Sequence, residues 1–304
     1  MPALQVGALL HPPCSLSSEE SDNRGSGSSK GHTLNDYSLM DTIPDPFVQN
    51  LFVLRHGEQL NQLEVQPGAV KAARPWDPPL TDKGKLQAWT VGRNMKLEDW
   101  NITRVVMSPS LRCVQTAVEI IAGLCMLPSS LEMREKGNGS PYVSTIKASI
   151  ECGLAEMMNR QGVPYPSEAA DKNSLSPWTL DLVDLYMMLP EGVHDTSFQP
   201  IRKKLPLGKE TLDDARNRYT STFQKIANRF PNENILCITH GEGVMQSVSM
   251  MWPRVEVHGV TYCAYTHAQR PNFKRDNDST ILCGDWELLT ESGSVSGVFF
   301  GPSP

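Results

Sequence analysis

The stretch Leu51-Phe52-Val53-Leu54-Arg55-His56-Gly57-Glu58 decides how this chain is read. Four consecutive apolar residues suit a strand buried on both faces. The run then breaks into two basic side chains and a glycine, the pattern of a strand that ends at a site. Three more segments repeat the arrangement. Arg104-Val105-Val106-Met107 reads as a strand that runs into Ser108-Pro109, an N-cap followed by proline at N1, with Arg112 one turn inside the helix that starts there. A third strand around Ile150-Glu151-Cys152 leads to Glu156. A fourth, Ile235-Leu236-Cys237-Ile238-Thr239, ends in His240-Gly241-Glu242-Gly243.

Helical patterns fill the intervals. Thr81 is placed to cap a helix that carries Leu86, Trp89 and Leu97 near one face. Ala117, Ile120, Ile121 and Leu124 form the apolar side of the helix after Ser108-Pro109. Leu212, Ala215, Tyr219, Phe223, Ile226 and Phe230 recur at helical spacing. A helix is expected from Glu242 to Trp252, and Val260 to Tyr265 suggests one more strand. Strands alternating with helices predict an α/β fold with a mainly parallel open sheet flanked by helices. Residues 157 to 209 are rich in Pro, Ser and Asp, with an ordered look only from Leu180 to Leu189, and are expected to form an irregular insertion lying on the sheet. Residues 1 to 46 have the composition of a disordered tail and residues 47 to 304 that of the folded domain. Glu19, Glu20 and Asp22 argue against a targeting peptide.

Composition narrows the classes. The chain has 304 residues and a formal net charge of -6. That balance speaks against a general nucleic-acid binder or a polybasic membrane protein, but leaves room for a local basic pocket. No apolar run approaches the ~18 residues of a spanning helix. Seven cysteines, an odd number with no C-x-x-C pair, argue against a disulfide framework or a zinc ribbon. They read as small buried hydrophobes of a chain that works in the reducing cytoplasm. No metal-ligand cluster and no cofactor motif is apparent.

In open α/β sheets, ligands collect at the carboxyl ends of the strands. Arg55, His56, Arg112, Glu156 and His240 would meet there. Two arginines and two histidines suit a phosphoryl group, because guanidinium forks match its oxygens and a neutral imidazole can accept it. Helix N-termini at 109 and 242 would add backbone donors.

These segments resemble the signature blocks of the histidine phosphatase superfamily, in its phosphoglycerate mutase-like branch. The resemblance runs through Phe52–Glu58, Pro79–Gly84, Met107–Ala117, Glu151–Glu156 and Thr239–Val244. It implies a metal-independent phosphatase in which His56 takes the phosphoryl group. Arg55, Arg112 and His240 would hold its oxygens, and Glu156 would serve as proton donor and then as base, with Glu58 as the alternative donor. Glu58, Asn61 and Arg74 are candidates for the substrate rim, while Trp76, Met157 and Met158 are read as core. The acid-phosphatase branch is disfavoured, since its late His-Asp is here His240-Gly241. Gln59-Leu60-Asn61 and Met157-Met158-Asn159 depart from the glycolytic mutase pattern. A phosphatase acting on a phosphorylated small molecule or protein is therefore expected. A mutase and a weakly active phospho-ligand-binding protein are the alternatives.

Overall fold

The computed structural model describes residues 46–60, 77–127, 129–130, 145–157, 181–206, 210–274 and 280–303. All of them fall within one unit, Ile43–Pro304. The elements in chain order are β1 (Phe47–Arg55), α1 (Asp82–Leu97), β2 (Ile102–Met107), α2 (Leu111–Leu124), β3 (Lys147–Ile150), a 3-10 turn (Cys152–Leu154), α3 (Leu182–Tyr186), α4 (Leu212–Arg229), β4 (Asn234–Thr239), α5 (Gly241–Ser249), β5 (Val255–Val260), β6 (Tyr265–Lys274), β7 (Ile281–Cys283), β8 (Glu287–Leu288) and β9 (Val298–Pro302). None of the helices among the described residues is long and apolar enough to cross a membrane.

The main sheet has the order β3-β2-β4-β1-β6-β7, with β8 also on β6. β3, β2, β4 and β1 are mutually parallel, and β6 and β7 extend the sheet antiparallel. The period-2 alternation of strand side chains divides the core between the two faces. Phe52, Leu54, Leu236 and Ile238 pack with α1 and α2. Leu51, Val53, Ile235 and Cys237 pack with α4 and α5. Both faces are covered, which is why these strands are apolar throughout.

Four local expectations need correction. The buried side of α1 is Gly84, Ala88, Gly92 and Met95, whereas Leu86 and Leu97 are exposed. The reason is a close helix–helix approach. A Cβ on Gly92 would stand 2.1 Å from the Ile120 carbonyl oxygen, and one on Gly123 would stand 2.3 Å from that of Trp89. Small residues face α2, so bulky ones are displaced outward. Secondly, α2 starts at Leu111 with Ser110 as N-cap, not at Ser108-Pro109. Thirdly, Val260 to Tyr265 is not one strand. Val260 ends β5, Tyr265 begins β6, and residues 261–264 form a turn in which Cys263 has a φ of 57°. A shorter departure is Leu212, which opens α4 but is exposed.

Within the stretch read as an insertion, residues 158–180 and 207–209 lie outside the described residues. The remainder contributes Leu185, Leu189 and Val193 to the core on the α1–α2 face. It also reaches the β3 edge, where His194 bridges to Ala148.

Candidate active site

Strand register assembles the site. The last pairs of the parallel strands are Arg55 with Thr239, Met107 with Ile238, and Met107 with Ile150. The four strands thus end level with one another. The ladder continues one step, with the amides of His56, Ser108 and Glu151 donating to Thr239, Ile238 and Met107 at 3.0, 3.0 and 2.9 Å. His56, Ser108 and His240 are therefore neighbours by backbone geometry alone. The two imidazole rings lie 5.3 Å apart at 67°.

The tautomers follow from donor and acceptor rules. His56 Nδ1 is 2.8 Å from the Gly57 carbonyl, which can only accept, so Nδ1 carries the proton. Nε2 keeps its lone pair and receives Arg112 Nε at 3.2 Å. Burial, then the charges of Arg112 and Arg55, hold the His56 pKa well below 6.5. His240 is the opposite tautomer. Its Nδ1 faces Arg112 Nη2, a pure donor, at 3.2 Å, so Nε2 carries the hydrogen and donates to Ser108 Oγ at 2.9 Å. Burial and the same arginine also depress the His240 pKa well below 6.5.

Arg112 is the hub. It is 3% exposed and touches both histidines. It also pairs with Asp77 through Nη1 at 3.1 Å and with Glu156 through Nη2. Asp77 accepts from the Leu111 amide at 2.9 Å as well, so one buried carboxylate caps α2 and braces the guanidinium. This explains why Ser108 and Ser110 are free to serve His240 instead of the helix end. Arg55 donates Nη1 to the Val260 carbonyl and stacks at 4.3 Å on Tyr262. Its Nε is buried without a hydrogen-bond partner among the described residues, in the direction of Gly241 at the start of α5. A buried unpaired guanidinium N–H is costly, and an anion at the mouth of the strands would satisfy it. Glu156 lies at that mouth. It is half-buried, and its carboxylate is 3.7 Å from His240 Nδ1.

Gly57 permits the tight entry into this loop. A Cβ there would stand 2.5 Å from the Gly84 carbonyl oxygen. Glu58, next in line, turns to the N-terminus of α1, where Lys83 binds it at 2.6 Å and Thr81 donates at 3.1 Å. The Lys83 hydrogen bond lowers its pKa. Met157 packs against the core on the α4–α5 face. Asn61, Arg74, Trp76 and Met158 lie outside the described residues.

Arg55, His56, Arg112, Glu156 and His240 are thus drawn together, and Glu58 is held elsewhere. Sequence reasoning missed Asp77 and Tyr262. Asp77 stands two residues before the block Pro79–Gly84, and extending that block would have included it.

Residues 51–138 match the model of the histidine phosphatase superfamily (branch 1). The matched segment includes Arg55, His56 and Arg112, and the chain is similar over it to that superfamily. It is 26% identical over 178 residues to an ecdysteroid-phosphate phosphatase of Bombyx mori, covering 58% of this chain and 22% of that protein. It is 28% identical over 198 residues to phosphoglycerate mutase-like protein 4 of Arabidopsis thaliana, covering 65% of this chain and 68% of that protein. The chain spans under a third of the two curated ecdysteroid-phosphate phosphatases it matches, 22% and 30%. The crystal structure of the Bombyx mori ecdysone phosphate phosphatase, solved with tungstate, superposes with a TM-score of 0.54 at 21% identity. That alignment covers 81% of this chain and 97% of the other, and shows a shared fold.

Proposed function

We propose that the protein hydrolyses phosphate monoesters through a phosphohistidine at His56. The observation that carries this reading is the His56 ring itself. Its Nδ1 proton is fixed on Gly57, and its unprotonated Nε2 stands beside an arginine cluster. A low pKa keeps that lone pair available across the neutral range.

In the first step Nε2 attacks phosphorus and the bond from phosphorus to the leaving oxygen breaks. Glu156, in its protonated form, gives its proton to that oxygen. Arg55, Arg112 and His240 bind the non-bridging oxygens and stabilise charge in the transition state. In the second step water attacks phosphorus and loses a proton to Glu156. The N–P bond breaks, and phosphate and neutral His56 are returned. Relatives named as phosphatases support this direction over phosphoryl exchange between positions of one metabolite. The substrate class is a phosphorylated small molecule or protein, and the scattered cysteines favour the cytoplasm.

Rapid quench of a reaction with labelled p-nitrophenyl phosphate tests the proposal. Acid-labile phosphate should be recovered on His56, and His56→Ala should abolish turnover. Turnover that persists in His56→Ala would replace the covalent route by direct water attack. Interconversion of 2- and 3-phosphoglycerate would establish a mutase. Tight phosphate binding without turnover would leave a binding protein.

A further inference from the structure

The three residues before Glu156 are tied down by side chains from two other elements. The Gly153 carbonyl accepts from Arg218 Nη1 at 2.9 Å. The Leu154 carbonyl accepts from Thr239 Oγ1 at 2.8 Å, one residue before His240. The Ala155 carbonyl accepts twice, from Arg218 Nη1 and from Tyr219 Oη, both at 2.8 Å. Gly153 itself lies so close to α4 that a Cβ would stand 2.3 Å from Thr222 Oγ1.

Arg218 is only 1% exposed, an unusual place for a cation. Glu210 holds it with two bonds, Nε to Oε1 at 2.6 Å and Nη2 to Oε2 at 2.8 Å. The planar fork is thereby locked from one side while Nη1 grips the loop from the other. Nothing in the fold core requires an ion pair here, since Tyr219, Phe223 and Ile226 already pack α4 on the sheet. What the pair does fix is the loop that carries the Glu156 carboxylate to the mouth of the strands.

We infer that Arg218, locked by Glu210 and assisted by Tyr219, is a positioning residue that sets where the Glu156 carboxylate stands relative to the scissile bond. The inference rests on the reading of Glu156 as proton donor. Proton transfer demands hydrogen-bond reach to the leaving oxygen, and a displacement of about 1 Å costs up to about 100-fold. Such a loss falls on poor leaving groups, which need the proton. It spares p-nitrophenolate, which departs without one.

The test is the ratio of single-turnover phosphorylation rates for an alkyl phosphate, β-glycerophosphate, and for p-nitrophenyl phosphate. Tyr219→Phe keeps the ring packing and removes one bond to Ala155. Its melting temperature should stay near wild type while the alkyl-to-aryl ratio falls about 3-fold. Arg218→Lys keeps the charge but loses the fork, and the ratio should fall about 10-fold. In a Glu156→Gln background neither change should lower the ratio further. Folded variants that keep the wild-type ratio overturn the inference, as does a loss that persists in Glu156→Gln. If Arg218→Lys does not fold, Tyr219→Phe decides. If Glu156→Gln itself leaves the ratio intact, the donor assignment fails and takes the positioning role with it. If Glu156→Gln collapses the ratio and the other two do not, only the positioning role fails.

Discussion

Arg112 Nε stands 3.2 Å from His56 Nε2, so the nitrogen that would attack phosphorus is already hydrogen-bonded to the arginine that would hold the phosphoryl group. One guanidinium thus addresses His56, His240 and the Glu156 carboxylate at once. Replacing it should be costly in a specific way. Arg112→Ala is expected to lose about 100-fold or more in kcat, the scale for one preorganised charge stabiliser. Arg112→Lys should not restore the rate, because an ammonium cannot reach the same partners in one plane. Steady-state kinetics of both variants check this, and near-wild-type kcat in Arg112→Lys would refute it.

Asp77→Asn should damage both stability and rate. The variant can still accept from the Leu111 amide but removes the more buried of the two carboxylates that pair with Arg112. Removing one partner of a buried pair costs about 3 kcal/mol. A loosened guanidinium should lower kcat/KM by about 10-fold or more. Chemical denaturation and kinetics on the same preparation separate the two effects. Loss of stability with unchanged kcat/KM would reduce Asp77 to a helix cap.

The pH dependence follows from the buried imidazoles. His56 and His240 are held well below 6.5 by burial and by Arg112, and His267 is pushed down to about 4 by burial. In the unfolded chain all three bind protons near 6.5, so unfolding takes up protons below that pH. Stability should therefore be full above about 6.5 and should fall as pH drops from there toward the native values. The melting temperature measured from pH 7 to 4 reads this directly. The acid limb of kcat/KM should lie below the ordinary histidine range, and a limb near 6.5 would show His56 titrating as if exposed.

Gly92→Ala should destabilise the protein, since the added methyl meets the Ile120 carbonyl of α2 at 2.1 Å and backbone must move. About 2 kcal/mol is expected. Arg112 rides on α2, so kcat should drop as well. A variant as stable as wild type would mean that α1 and α2 separate at little cost.

The parallel half of the fold was legible because each of its strands is apolar on both faces and then ends in charge. Arg55, His56, Arg112 and His240 could be placed near one another from that alone. Asp77 has no periodic signal and its partner lies 35 residues on, so only its place beside the block Pro79–Gly84 marks it. The α1 face was misread because glycine and alanine mark a close approach, whereas large apolar residues usually mark a core. The turn at 261–264 was hidden inside a β-like run with no glycine or proline to announce it. Arg218 belongs to no motif, although Ala215, Arg218, Tyr219 and Thr222 share one helical phase and are all buried. That phase was the available signal.

The pairing of β1 with β4 joins residues about 184 positions apart, as Asn50 and Asn234 illustrate. Closing so long a loop is among the slower events available to a chain of this kind. No segment that stops short of His240 can hold both imidazoles. Regain of activity after dilution from denaturant should accordingly lag behind regain of helical signal, and a nascent chain on the ribosome stays inert until the segment through His240 has been made. Enzymatic competence thus becomes a clock for the last long-range step of folding.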